Sequence, residues 1–363
     1  MNLRSAGLLY GPEIHHLDHL AIICDLMQAP LLVTDEEIAN EANKYYPGLQ
    51  VIQLDTISIA SHLVDNFEVI FCTIPRLLFE EIFFFAQQLK RKKIHTIWCP
   101  HGNSDKGHKS LFMEALENEE IALVYGPRMI HFLMEKGVLQ HLLAYITTGN
   151  IRYAYYLRHK QFYERIIELE VARKLPKAIQ TFFYAPTWQD RENSSSFYEA
   201  LPYLIDNLPE NSNLIVKPHP NLLIQDEKRA DRVLAKYEDH PHLLVLTRFA
   251  PIYPLLDYID VYIGDMSSIG YDFLVFNKPM FFLNPLGRDA KTDPGLYLFR
   301  CGVEIRAEEY TKIYSIIRQH LAHESSSLGI IRRNVYEETF HKSKKMNNLR
   351  KEISDSFSKF PTL

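Results

Sequence analysis

The chain has 363 residues, long for a single hydrophobic core and suited to two domains. Hydrophobic residues make up 47%, enough to bury sheets, and a formal charge of −5 leaves no basic footprint for duplex nucleic acid. Four widely spaced cysteines without a CxxC pair fit buried thiols in a reducing compartment. No apolar run has the length of a bilayer span, and the start of the chain lacks a signal peptide's apolar core. That reads as a cytoplasmic protein, with peripheral contact on the inner face of the cell membrane left open.

Taken in order, the first half alternates between short apolar strands and helices. Strands are expected at 6–10, 31–33, 51–54, 69–73, 96–99, 121–125 and 144–147. Between them, residues 14–27 read as a helix with Ile14, Leu17, Leu20, Ala21 and Cys24 inward. Thr34 with Glu37 has the form of a capping box. Leu77 to Leu89 reads as a long apolar helix ending in Lys90-Arg91-Lys92-Lys93. That basic run fits either a solvated helix end or contact with anionic lipid headgroups. The charged helical stretch 150–178 marks a domain junction. Strands follow at 181–184, 213–216, 243–246, 261–263 and 280–283, and the chain beyond Tyr310 is helical and charged. Short apolar strands alternating with helices predict parallel sheets covered on both faces. Two such runs predict an α/β protein of two facing Rossmann-like domains with the cleft between them: residues 1–155, and 175–340, with the helices of 340–363 packing back on the first.

Ligands in such sheets bind at the carboxyl ends of the strands, which makes loop position a filter. Four loops pass it. Pro100-His101-Gly102-Asn103 offers an imidazole beside a flexible turn. Residues 185–191 offer the Thr187 hydroxyl, Trp188 and the Arg191 guanidinium. Lys217-Pro218-His219-Pro220 holds a cation and an imidazole on a proline-stiffened backbone. Gly264-Asp265-Met266-Ser267-Ser268 ends at an expected helix start, where the two serines either cap the helix or help its free N–H groups hold a phosphate. Asp272, one turn further on, is placed to hold a ribose hydroxyl or to be a solvated carboxylate. Histidines and acids also cluster at His15, His16, Asp18 and His19, and at His95, Cys99, His101, Asp105 and His108, without tight zinc spacing; no metal is expected. P-loop, GxGxxG and GxSxG motifs are absent, which removes the loops that kinases, dinucleotide oxidoreductases and serine hydrolases need.

Taken together, His101-Gly102, the YAPTW run at 184–188, the KPHP run at 217–220, and Asp265-Met266-Ser267-Ser268 with Asp272-Phe273 and Asn277-Lys278-Pro279 resemble the CDP-glycerol glycerophosphotransferase family of teichoic-acid primases and polymerases. The first ninety or so residues carry no matching motif. The resemblance implies a GT-B-like fold and a transferase that moves glycerol phosphate, or a related polyol phosphate, from a CDP-activated donor to an envelope glycan or lipid-linked acceptor. It implies that His101 is the general base on the acceptor. His219, counted with it as catalytic, would bind the donor pyrophosphate with Ser267 and Ser268. Thr187, Lys217, Asp265 and Asp272 would complete the donor site, with no metal or other cofactor and no nucleic acid partner. Here His101 follows Cys99-Pro100 rather than a tryptophan directly, and the run from Asn103 to Ser110 differs from the family's lysine-rich loop. Two other readings stand beside this one: a GT-B glycosyltransferase using a CMP- or UDP-sugar in surface polysaccharide synthesis, and a non-catalytic nucleotide or glycan binder.

Overall fold

The structure is a computed structural model that describes residues 3–108, 113–189, 192, 195–323, 326–342 and 344–361. The chain forms two compact units. One holds residues 1–103, 111–155 and 338–363; the other holds 104–110 and 156–337. The short segment 104–110, read from sequence with the first domain, thus belongs to the second unit.

Among the described residues, the first unit contains seven parallel strands: β1 (Ser5–Leu9), β2 (Leu31–Val33), β3 (Val51–Gln53), β4 (Val69–Cys72), β5 (His95–Trp98), β6 (Ile121–Val124) and β7 (Ala144–Thr147). Their order is β3-β2-β1-β4-β5-β6-β7. Strand β4 is buried at all four positions, as expected of a strand covered on both faces. The helix Ile14–Met27 buries almost its whole circumference, including His16, Asp18 and His19. Polar side chains buried at one end of an otherwise apolar helix point to a site rather than to solvent. The expected Thr34 capping box does not form. Asp35 caps the helix Glu36–Tyr45 by accepting from the Ile38 N–H, while the Thr34 hydroxyl accepts from the Gly11 N–H at 2.8 Å. Helix Met346–Ser356 packs on helix Ile14–Met27 and on β7. Gly126 is required where the chain returns, because a Cβ there would lie 2.5 Å from the Thr339 carbonyl oxygen.

Among the described residues, the second unit has six parallel strands: β8 (Gln180–Ala185), β9 (Ser212–Val216), β10 (Leu243–Val245), β11 (Val261–Gly264), β12 (Met280–Asn284) and β13 (Val303–Arg306). Their order is β10-β9-β8-β11-β12-β13. Phe182, Tyr184, Leu214, Ile263 and Phe281 of the sheet pack against Phe197, Leu201 and Ile313. Strand β13 escapes a reading of the sequence because Val-Glu-Ile-Arg is short, half charged and at the sheet edge, with only Ile305 fully buried. Strand order reverses between β1 and β4 in one unit and between β8 and β11 in the other. Crevices at such switch points are where open α/β sheets bind ligands.

Candidate active site

In the second unit, three of the four expected loops come together at the switch point. Strands β9, β8 and β11 are neighbours, so their carboxyl ends deliver Lys217–Pro220, Ala185–Gln189 and Gly264–Ser268 to one edge. Asp265 fastens two of these loops. Its carboxylate accepts from the Thr187 N–H at 2.7 Å, and from the Ser196 N–H and hydroxyl, both at 2.9 Å. The group is 1% exposed. Burial pushes its pKa up to about 6, against the pull of those donors and of nearby Lys106. Asp265 therefore acts here as a clamp on the loop backbone. Arg191 lies outside the described residues.

Lys106 is the residue that sequence reasoning missed. Its ammonium donates to the Thr187 hydroxyl at 2.5 Å and lies 5.7 Å from the centre of the Trp188 ring. The segment carrying it is anchored by Asp105, which is buried and accepts from the Tyr271 hydroxyl at 2.5 Å and the Leu298 N–H at 3.0 Å. The Gly107 N–H donates to Glu192, whose other oxygen pairs with Arg288 at 3.1 Å. The signal was present: Lys106 follows the carboxyl end of β5 and passes the same filter as His101.

His219 precedes the short helix Pro220–Gln225 and caps it, with Nδ1 accepting from the Asn221 N–H at 3.1 Å. An acceptor Nδ1 carries no proton, so the neutral ring holds its hydrogen on Nε2 and can donate it to an anion. The His219 ring centre lies 6.2 Å from that of Trp188. Ser267 is buried and Ser268 half-buried. Ser268 makes no side-chain cap bond to the brief helix Ile269–Phe273, which removes the capping explanation for that residue. Asp272 is not brought to these loops as a solvated carboxylate. It is 3% exposed and accepts from the Tyr253 hydroxyl at 2.9 Å.

In the first unit, His101 stands where β5 ends. Its Nδ1 lies 3.2 Å from the Thr73 carbonyl, which can only accept, so Nδ1 carries the proton and Nε2 keeps its lone pair. Burial lowers the His101 pKa, with the Thr73 bond pulling the other way. Gly102 follows at φ 135°, a conformation that favours glycine. His16 packs beside His101 with ring centres 4.2 Å apart, and its Nδ1 meets the Thr73 hydroxyl at 3.0 Å. Thr73 thus holds both rings. His19 donates from Nδ1 to the Tyr125 hydroxyl at 2.7 Å, because that hydroxyl itself donates to the Pro100 carbonyl at 2.9 Å. Burial, then Arg152 and the neighbouring imidazoles, hold the His19 pKa well below its ordinary value. Asp18 pairs with Arg152 at 3.0 Å and accepts from Tyr46. Among the described residues, Glu13, His15 and His16 form a group able to hold a metal ion, their ligand atoms lying within 4.8 Å of one another. Protein contacts also account for them: His15 Nδ1 lies 3.4 Å from Glu13, and His16 is held by Thr73.

Residues 146–299 match the family described as CDP-Glycerol:Poly(glycerophosphate) glycerophosphotransferase. That span contains the YAPTW, KPHP and Asp265–Ser268 runs, so the resemblance read from the motifs holds across it; His101 lies outside. No curated protein sequence matches the chain. Among solved structures, the chain is similar to the wall teichoic acid polymerase TagF, at 14% identity and TM-score 0.65 over 98% of this chain and 88% of that one. It is also similar to HepE of Anabaena in complex with UDP-glucose, at 10% identity and TM-score 0.56, over 99% of this chain and 100% of that one. A glycosyltransferase from Rickettsia africae matches at 12% identity and TM-score 0.53, with 99% of each chain covered. At these identities the likeness is one of fold, an α/β fold with two parallel sheets of the GT-B-like kind. No helix among the described residues is long and apolar enough to cross a membrane. The family match thus covers the switch-point loops of the second unit, and over that span the chain is similar to the CDP-glycerol glycerophosphotransferases.

Proposed function

We propose that this protein transfers glycerol phosphate, or a related polyol phosphate, from a CDP-activated donor to a hydroxyl of an envelope glycan or lipid-linked acceptor. The observation that carries the reading is the meeting of the three loops of the second unit at the carboxyl ends of β9, β8 and β11, inside the span that matches the family. There the donor's pyrophosphate meets the Nε2–H of His219, the Lys106 and Lys217 cations, and the Ser267 and Ser268 hydroxyls. Asp265 keeps Thr187 and its loop in register for that contact. In the first unit, the lone pair on His101 Nε2 takes the acceptor hydroxyl's proton. The acceptor oxygen then bonds to the phosphorus bearing glycerol, and the bond from that phosphorus to the bridging oxygen breaks. CMP leaves with the electron pair. Donors aimed at the departing phosphate act most strongly as that charge develops, and a positioned base adds about 10²–10⁴-fold.

The chain itself supports a joint role for the two units. His101 and Lys106 are five residues apart, so their Cα atoms cannot be separated by more than about 18 Å. Catalysis in this scheme needs both the base of the first unit and the donor site of the second. The scheme itself routes no step through a metal. The fold shared with HepE, solved with UDP-glucose, favours a second reading, sugar transfer from a nucleotide sugar.

The test is thermal unfolding against CDP-glycerol, CDP-ribitol, CDP, CMP, UDP, and UDP- and CMP-sugars. A ligand at 100 times its Kd adds about 2.7 kcal/mol of stability. Selective stabilisation by CDP-polyols supports polyol-phosphate transfer. Selective stabilisation by a nucleotide sugar replaces it with glycosyl transfer, and no response to any nucleotide overturns both.

A further inference from the structure

The segment leaving β4 carries an apolar face that the fold does not use. A 3-10 turn at Arg76–Phe79 runs into the helix Glu80–Lys90. Phe79, Phe83 and Ala86 enter the core beside Leu8, Ile70 and Cys72. The outward side carries Leu77, Leu78, Phe84, Phe85 and Leu89, which are 54%, 68%, 64%, 43% and 66% exposed. Singly, exposed apolar residues are ordinary; five on one short amphipathic segment with its core face already filled mark an interaction surface. The segments after β1 and β3 add Tyr10, 42% exposed, and Ile57, 94% exposed, at the carboxyl edge where this segment begins.

Charge selects the occupant. Five basic and two acidic residues fall between 76 and 93, on a chain of net charge −5. Arg91 is exposed at the helix end. Lys90 pairs with Asp65 at 3.0 Å, Lys92 with Glu68 at 3.1 Å, Lys93 with Glu120 at 3.2 Å, and Arg76 with Glu80 at 3.6 Å; Glu81 is exposed within the stripe. The Lys90–Asp65 pair is exposed, so it is weak and exchanges readily for other anions, whereas the pairs of Lys92, Lys93 and Arg76 are part-buried; Lys90 and Arg91 are the cations this end offers to a partner. A phenylalanine- and leucine-rich face beside a basic run is the pattern of a helix lying in a lipid interface. A second copy of the chain would bring a second basic run to the same contact, which disfavours a two-fold pairing.

We propose that this face docks the first unit on an anionic bilayer. Strand β4, from which the segment leaves, adjoins β5, whose carboxyl end bears His101. Resting on the transfer reached above, docking at this edge gives the base a membrane-embedded, lipid-linked acceptor.

Vesicle flotation tests this. The full chain is mixed with phosphatidylcholine vesicles with or without 30 mol% phosphatidylglycerol, a composition chosen at about the anionic content that gives a strong surface potential. The chain is expected to float with the anionic vesicles. Partition should fall at least tenfold in Phe84→Ser/Phe85→Ser/Leu89→Ser, and also in Lys90→Glu/Arg91→Glu. All five positions are exposed, so the fold should survive, and an unchanged unfolding midpoint verifies it. Wild-type protein that stays at the bottom overturns the proposal, as does flotation that the serine variant retains. So does a concentration-dependent dimer, lost in the serine variant, in a chain that does not float. CDP-glycerol binding, measured on the same variants without vesicles, should be unchanged. Its absence in every variant and in wild type would count against the transfer reading alone.

Discussion

Replacing His101 by alanine separates the chemical role of this residue from its structural one. The imidazole donates one hydrogen bond, to the Thr73 carbonyl at 3.2 Å. That carbonyl also accepts from the Trp98 indole N–H at 3.2 Å, so truncation does not orphan a buried acceptor. The stability cost is therefore that of one ordinary hydrogen bond, about 0.5–1.5 kcal/mol. Loss of a positioned base should cost about 10²–10⁴ in kcat, equivalent to about 2.7–5.4 kcal/mol in the barrier. The acid limb of the wild-type rate profile should lie below pH 6.5. The ring must be neutral to accept a proton, and burial lowers its pKa from that value. The assay is CMP release from CDP-glycerol in the presence of membrane acceptor, with donor Kd measured separately by calorimetry. A fall in kcat of less than tenfold, or an unchanged acid limb in the alanine variant, refutes the base assignment. A weakened donor Kd refutes the division of labour between the units.

Three further outcomes are expected. His219→Asn keeps a residue that caps well and so should retain thermal stability while losing the Nε2–H and weakening CDP-glycerol binding at least several-fold. His219→Ala should lose the same affinity and about 0.5–2 kcal/mol of stability, and equal binding in the asparagine variant would sink the pyrophosphate role. Asp265→Ala leaves the Thr187 and Ser196 N–H groups buried without their carboxylate acceptor, at about 1–3 kcal/mol each. Urea unfolding should show the loss, and hydrogen exchange should show the loop around Thr187 opening first. Stability should also fall below pH 6.5. His101 and His19 both have folded pKa values depressed beneath that unfolded value, so the folded state resists taking up their protons. The contribution is whole above pH 6.5 and is lost as pH falls toward the folded values. His19→Asn should flatten the urea midpoint between pH 7.5 and 5, and an equally steep fall would show that other groups govern it.

Strand positions were legible because burial on both faces writes them as uninterrupted apolar runs, as in Val69–Cys72 and Leu31–Val33. Strand β13 lacked that signal because an edge strand need not be apolar on both faces. Loop position was legible for the same reason: knowing where a strand ends locates the functional edge. What each side chain does at that edge was not. Asp265 and Asp272 read as carboxylates free to meet a ligand, yet the fold spends Asp265 on loop backbone and turns Asp272 toward Tyr253. A carboxylate's partners lie on other segments, and spacing along one segment cannot name them. Lys106 was hidden by the opposite error. Its neighbours in sequence assign it to the first unit, while Asp105, through Tyr271 and Leu298, anchors that segment to the second. The tautomers belong to the same class of information. His101 and His219 are both loop histidines beside a proline. One is set by a carbonyl to present a lone pair, and the other by a backbone N–H to present a proton. That opposition fits the proposed transfer, in which one imidazole would receive the acceptor's proton and the other would meet the charge that leaves with the nucleotide.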